Sequence, residues 1–196
     1  RAAWRAQQRE AVIAPEQKIC DAHHHLWGHD GDRYFAEEFA ADLDDGHNVL
    51  KTVYVECGSN YRTCGPSEMM PLGETEFVLR QDAELEALRG RSVIAGIIGF
   101  ADLRLGDAVA AVLEAHLELA SKKFVGVRHA TAWDEHDGIV NHQLDPPAEL
   151  MSDPEFVKGV TKLGEHKLTY DAWLYHPQIA EVTALARVVP GTTIVL

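Results

Sequence analysis

Cysteine is scarce in this sequence: among 196 residues there are three, Cys20, Cys57 and Cys64. An odd number with no Cys-x-x-Cys pair argues against a disulfide scaffold or a cysteine-built zinc site, and it favours a reducing cytoplasm. Positive charge is short as well. Eighteen Lys and Arg stand against 31 Asp and Glu, a formal net charge of −13. An anionic shell repels phosphate backbones and anionic lipid, so neither nucleic acid nor a membrane is expected as the partner. No apolar run approaches the ~20 residues that cross a bilayer. The longest, from Val93 to Ala101, has the length of a buried strand. The opening RAAWRAQQRE lacks the apolar core of a signal peptide. Also missing are a Gly-x-Gly-x-x-Gly loop after the first strand, a phosphate-binding loop, a fixed-period repeat and any low-complexity tract. What remains is ordinary globular composition, with 46% hydrophobic and 25% charged residues.

The hydrophobic pattern reads as strand, loop, helix, repeated. Short β-branched or apolar runs lie at Lys18–His23, Lys51–Glu56, Val93–Gly99, Phe124–His129, Leu168–Leu174 and Thr192–Leu196. Between them, helical stripes run through Phe35, Phe39 and Leu43, through Phe77, Leu85 and Leu88, and through Val109, Val112, Leu113 and Leu117. Ser152-Asp-Pro-Glu155 announces a fourth helix, with Ser152 as its cap, and His176-Pro177 a fifth. Alternation of this kind predicts βαβ units and a parallel sheet with helices over it. A single domain over 15–196 is expected, preceded by an N-terminal arm over 1–14. The chain ends on the strand pattern Thr-Ile-Val-Leu196, with nothing to cover it, as expected of a fragment.

Site chemistry concentrates where a glycine loop is absent. Asp21-Ala-His23-His24-His25-Leu-Trp27 closes the first strand. Residues two apart share a face, so His23 and His25 project together while His24 points away. Two imidazoles at the carboxyl end of a parallel strand suit a divalent metal, zinc by preference. Parity groups Glu56 with Thr52 and Tyr54, facing the barrel mouth, with Val53 and Val55 toward the helices. Glu56 is then a metal ligand or a carboxylate that orients substrate. Arg128, grouped with Phe124 and Gly126, is placed to clamp a substrate carboxylate or hydroxyls. Gly126 would allow close packing inside a barrel. Glu74 either lines the site or stabilises a helix N-terminus through the dipole. Parity sends His176 toward the helices unless its strand has already ended, and Asp171 is its rival on the opposite face. Cys57 and Cys64 have no partnered base and are poor candidates for a nucleophile.

The ordered set Ile-Cys-Asp-Ala-His-His-His-Leu-Trp27, Thr52-Val-Tyr-Val-Glu56-Cys, Pro71-Leu-Gly-Glu-Thr-Glu-Phe77, Phe124-Val-Gly-Val-Arg-His129 and Asp171-Ala-Trp173 resembles the amidohydrolase-2 branch of the amidohydrolase superfamily. That branch includes sugar lactonases and pyrone-dicarboxylate lactonase. The resemblance implies a (β/α)₈ barrel, of which about five and a half units would be present here. It further implies that a strand-six His and a strand-eight Asp, the general base, would follow Leu196. His176 falls where the superfamily often keeps a strand-five ligand. No Lys follows strand four, where two-metal members keep a carboxylated lysine; Arg128 and His129 stand there instead. That favours one metal, or none, with the histidines polarising the carbonyl directly. The expectation is a hydrolase of a small, anionic carboxylate or sugar-derived substrate, most specifically a lactonase. In it His23, His25 and Arg128 are catalytic, Glu56, Glu74 and His176 line the substrate site, and a homo-oligomer would be formed through the outer helices. A non-oxidative decarboxylase or a silent ligand-binding barrel are the alternatives.

Overall fold

The computed structural model describes residues 11–29, 32–136, 138–139 and 145–196. Most of the expected arm therefore lies outside the described residues, as does His142. Six parallel strands form one curled sheet in the order β1 (Lys18–His24), β4 (Asn48–Val55), β5 (Ile94–Gly99), β6 (Phe124–Arg128), β7 (Thr169–Asp171) and β8 (Ile194–Val195). A short antiparallel hairpin, β2 (Trp27–His29) and β3 (Asp32–Tyr34), was not anticipated and follows β1 directly. Helices α1 (Ala36–Leu43), α2 (Leu72–Arg89), α3 (Ala110–Ala120), α4 (Pro154–Glu165) and α5 (Ile179–Val188) cover the convex face. The architecture is an α/β half-barrel, with all five helices in the expected places, although Leu88, read into the stripe of α2, is exposed.

The main core lies between sheet and helices. Tyr54, Ile97, Phe124, Val127 and Tyr170 meet Phe39, Val78, Leu113 and Phe156 there, all nearly fully buried. Ring contacts show the layering: Phe124 stacks on His116 of α3, and Tyr170 meets Phe156 of α4 edge-on. His116, unremarkable in sequence, is fully buried, with its ring nitrogens against Thr75 Oγ1 and the Phe100 carbonyl.

Three expectations are corrected. The cap of α4 is Asp153, not Ser152: its Oδ1 accepts from the Glu155 and Phe156 amides at 2.9 and 3.0 Å. Ser152 Oγ instead donates to the Glu149 carbonyl. Either side chain can cap a helix, but Pro154 occupies the first helical position, which makes its predecessor the cap. The parity of β4 is also reversed. Tyr54 faces the helices, bonding to α2, whereas Val55 is buried outside the main core cluster, on the concave side. In β6 a register shift against Ile97 and Ile98 sends Phe124 outward while Gly126 and Arg128 turn inward. Bulges of this kind break the period of two that the sequence pattern assumes.

No helix of the described residues is long and apolar enough to cross a membrane.

Candidate active site

The carboxyl ends of the strands open on a cavity of about 920 Å³. Its wall brings together His23 from β1 and His25 just after it, Arg128 from β6, Asp171 from β7, and Trp173 and His176 from the segment after β7. Cys57, after β4, lines it too. Sites at this end of parallel strands are the rule, because the connecting loops converge there.

The histidine triplet behaves as alternation requires. His24 turns away, stacks on Phe39 of α1 with ring centroids 4.4 Å apart, and bonds the Val53 carbonyl through Nδ1 at 2.9 Å. Its Nε2 has no partner among the described residues, and burial pulls its pKa down to about 4, so the ring is neutral. His23 and His25 turn into the cavity with their Nε2 atoms 3.1 Å apart. His25 Nδ1 lies 2.7 Å from the Val55 carbonyl. A carbonyl only accepts, so Nδ1 carries the proton and Nε2 presents its lone pair. Desolvation lowers both pKa values; the His25 ring and Arg128 add to the effect at His23, and Arg128 adds to it at His25. Neutral, convergent imidazoles, with an outer hydrogen bond fixing the tautomer of His25, suit a metal. Their spacing is one that two nitrogens, each about 2.1 Å from one ion, can adopt. The donor set would fit a divalent ion, with the pair as two of its ligands. Among the described residues no group of three His, Cys, Asp or Glu converges for that purpose.

Arg128 is the other fixed charge. Its Nε donates to Glu56 Oε1 at 2.7 Å, and its Nη2 to the Glu56 carbonyl. Nη1 reaches to 3.5 Å from His23 Nε2, and the guanidinium lies 4.9 Å from the centroid of the Trp173 ring. Both charged partners are buried, Glu56 at 3% and Arg128 at 7% exposure. Glu56 comes to Arg128 because the chain leaves β4 after Val55, not through strand parity, which would have sent it outward with Tyr54. It sits behind Arg128 rather than on the cavity wall. His176 does line the cavity: β7 spans only Thr169–Asp171, so alternation has ended well before it. Asp171, its rival, lines the cavity as well, and desolvation pushes its carboxyl up, against the pull of Arg128. Glu74 does not reach the wall. It lies 2% exposed in the first turn of α2 and bonds to Tyr54, Cys57 and Ser59. Burial, and after it Glu74, pushes the Cys57 thiol up to about 12, so it stays protonated. Arg62, on the second loop, is paired with Glu76.

Sequence reasoning assigned Gln178 no role. Buried at 3% exposure, its Oε1 accepts from the Trp133 and Tyr175 amides at 2.9 and 3.2 Å, and its Nε2 donates to the Thr131 carbonyl at 2.9 Å. It knots the segment carrying Trp173 and His176 to the loop after β6. The signal available was Pro177-Gln178 opening a helix just past a strand end.

No protein-family model matches the chain. Several solved structures share its sheet. One is an amidohydrolase from Burkholderia multivorans with bound HEPES, at TM-score 0.60 and 20% identity, covering 90% of this chain and 55% of that one. A second structure of an amidohydrolase from that organism, with bound zinc, gives 0.59 and 20%, covering 89% and 55%. The fold is shared with the amidohydrolases. Amidohydrolase 2 from Bifidobacterium longum subsp. infantis superposes at 0.52 with 17% identity, over 90% and 59%. In sequence, the chain is 31% identical over 163 residues to the uncharacterized protein y4mH of Sinorhizobium fredii, covering 83% of this chain and 48% of that protein. The chain thus spans about half the length of the curated relative and slightly more of the amidohydrolase structures.

Proposed function

We propose that this protein is a hydrolase of small anionic carboxylate or sugar-derived substrates, and specifically a lactonase, its sheet being the first six strands of an eight-stranded barrel. One observation carries the reading: His23 Nε2, His25 Nε2 and Arg128 Nη1 converge at the mouth of the cavity. His23 and His25 would hold a single divalent ion, zinc preferred, which when bound supplies Lewis acidity to a carbonyl and acidity to a water. A relative in fold with bound zinc supports that assignment.

The chain's own residues would bind and orient the substrate. Arg128 has Nε and one Nη2 hydrogen engaged by Glu56, leaving its Nη1 edge to donate to a substrate carboxylate or carbonyl oxygen. Glu56 balances the guanidinium charge and fixes its plane. Trp173 backs that plane and, with Ala172, Leu174 and Ile179, gives an apolar wall that excludes water from a bound ring. Asp171 and His176 stand on the same wall within reach of a bound molecule as proton-exchanging groups.

The test is base consumption at constant pH by the full chain against a panel of lactones, with zinc added or chelated. Outer-shell partners of metal ligands alone are worth 10–100-fold, so His23→Ala and His25→Ala should each lower turnover about 100-fold or more. Equal turnover by wild type and both variants would refute the assignment. Release of CO₂ without net base consumption would point to decarboxylation instead.

A further inference from the structure

Glu74 is buried, charged when ionised, and used by nothing in the proposed chemistry. A carboxylate in the first turn of a helix gains from the dipole if left in solvent. This one turns inward. Its Oε1 accepts from Tyr54 Oη at 2.9 Å, Cys57 N at 2.8 Å and Ser59 N at 3.0 Å, while Oε2 has no partner among the described residues. Three donors on a single oxygen mark a clamp on the chain just after β4.

The clamp extends into the neighbouring residues. A Cβ added at Gly73 would come within 2.5 Å of Asn60 O and Arg62 N and 2.8 Å of Tyr61 C, so the loop backbone rests directly on α2. Arg62 N donates to Met70 O at 2.8 Å, closing the seat. The point of coupling is one peptide group. The amide N–H that donates to Glu74 belongs to Cys57, and the carbonyl in the same peptide unit belongs to Glu56. That carbonyl accepts from Arg128 Nη2. A peptide unit is planar, so its N–H and C=O cannot turn independently. Hydrogen bonds at both ends of one amide also polarise it in the same sense.

We propose that Glu74 is a positioning residue: by fixing the plane of the Glu56–Cys57 peptide it aims the carbonyl, and with it the Arg128 guanidinium, into the cavity. This rests on the reading of Arg128 as the group that binds the substrate anion.

The test uses the full chain with Glu74→Gln, which keeps the shape and removes the charge. Asp82→Asn is the control. Asp82 lies on the same helix but serves the opposite end of the sheet, binding Ser92, the Ile94 amide and Lys123. The readouts are the ¹⁵N resonance of the Arg128 Nε–H and the affinity for benzoate, a plain carboxylate probe. Glu74→Gln should move the Arg128 resonance and weaken benzoate about tenfold, while Asp82→Asn lowers the melting temperature and leaves both in place. Tyr54→Phe, which removes one donor to Glu74, should give a smaller change in the same direction and stands in if Glu74→Gln does not fold. The proposal is overturned if Glu74→Gln leaves the resonance where wild type has it, or if Asp82→Asn moves it as far. Should wild type fail to bind benzoate, the anion-site reading fails, and the Arg128 resonance alone decides whether Glu74 positions it.

Discussion

Replacing Glu56 by Gln should destabilise the fold more than any other exchange of one polar group for its isostere in the cavity. Glu56 and Arg128 are 3% and 7% exposed, and their Nε–Oε1 distance is 2.7 Å. Removing one partner of a buried pair leaves an uncompensated charge, at about 3–5 kcal/mol. Two contacts survive the substitution and moderate that loss. The Glu56 backbone carbonyl still accepts from Nη2, and the Trp173 face, 4.9 Å from the guanidinium, contributes about 0.5–2 kcal/mol. The lower end, about 3 kcal/mol, is therefore expected for Glu56→Gln. Arg128→Met takes the guanidinium from the buried carboxylate instead and should also be destabilising. The double variant removes both charges, so its loss should fall well short of the sum, with a coupling energy of about 2–3 kcal/mol. Urea denaturation followed by circular dichroism at fixed pH gives all four corners of the cycle. A loss below about 1 kcal/mol for Glu56→Gln, or additive single losses, would mean that the pair is not dry and that Glu56 does not hold Arg128.

Two further substitutions probe the sheet and its covering layer. Gly126→Ala would press a methyl group against Thr169 Oγ1 and within 2.8 Å of Ile98 Cδ1 and 2.9 Å of Thr169 O. Overpacking of this kind costs about 1–3 kcal/mol and should lower the denaturation midpoint at unchanged slope; a wild-type midpoint would show that the barrel interior has room there. His116 is held at a pKa of about 4 by burial, against 6.5 when free. Between those values the unfolded chain binds the proton and the folded one does not, so this contribution is complete above pH 6.5 and is lost as pH falls toward 4. It amounts to about 3 kcal/mol. Glu74 acts in the opposite sense. Desolvation raises its pKa from 4.5 to about 7, so the folded state keeps the proton longer and stability declines as pH rises across that window. His116→Gln should flatten the rise in unfolding free energy between pH 4 and 6.5, and an unchanged slope would place the titration elsewhere.

The sequence pattern carried this fold as far as regular structure runs. Six strands and five helices could be read because burial on one side of each helix imposes a period of 3.6, and parallel strands under helices read as apolar runs. The His23–His25 pair could be read for the same reason: the two project to one side where β1 ends at His24, although the pairing with β4 shifts between Asp21 and His24. Arg128 turns inward with Gly126 as its parity implied, while the register shift between β5 and β6 separates both from Phe124.

The misreadings share one physical cause. Active-site residues in such a sheet stand where strands stop, and there neither period applies. Glu56 follows the last residue of β4, so its direction is set by Arg128 and by the clamp on Cys57 and Ser59 rather than by pleat. His176 lies five residues beyond β7, in a single helical turn, so the condition under which it was expected to reach the cavity, a strand already ended, is met. Glu74 and Gln178 share another property. Both sit at helix starts, where a polar residue ordinarily means a solvated cap, yet both turn inward to collect backbone groups of the loops that form the cavity. Nothing in a one-dimensional pattern separates a capping side chain from one that reaches across to another loop. What separates them is whether unpaired amides are already waiting there, and those amides exist because strand ends shed the ladder partners that their interiors keep. The irregular backbone that makes room for a substrate thus also creates the demand for buried polar clamps, and a search for functional support in such sheets should begin with the first turn of each helix that follows a strand.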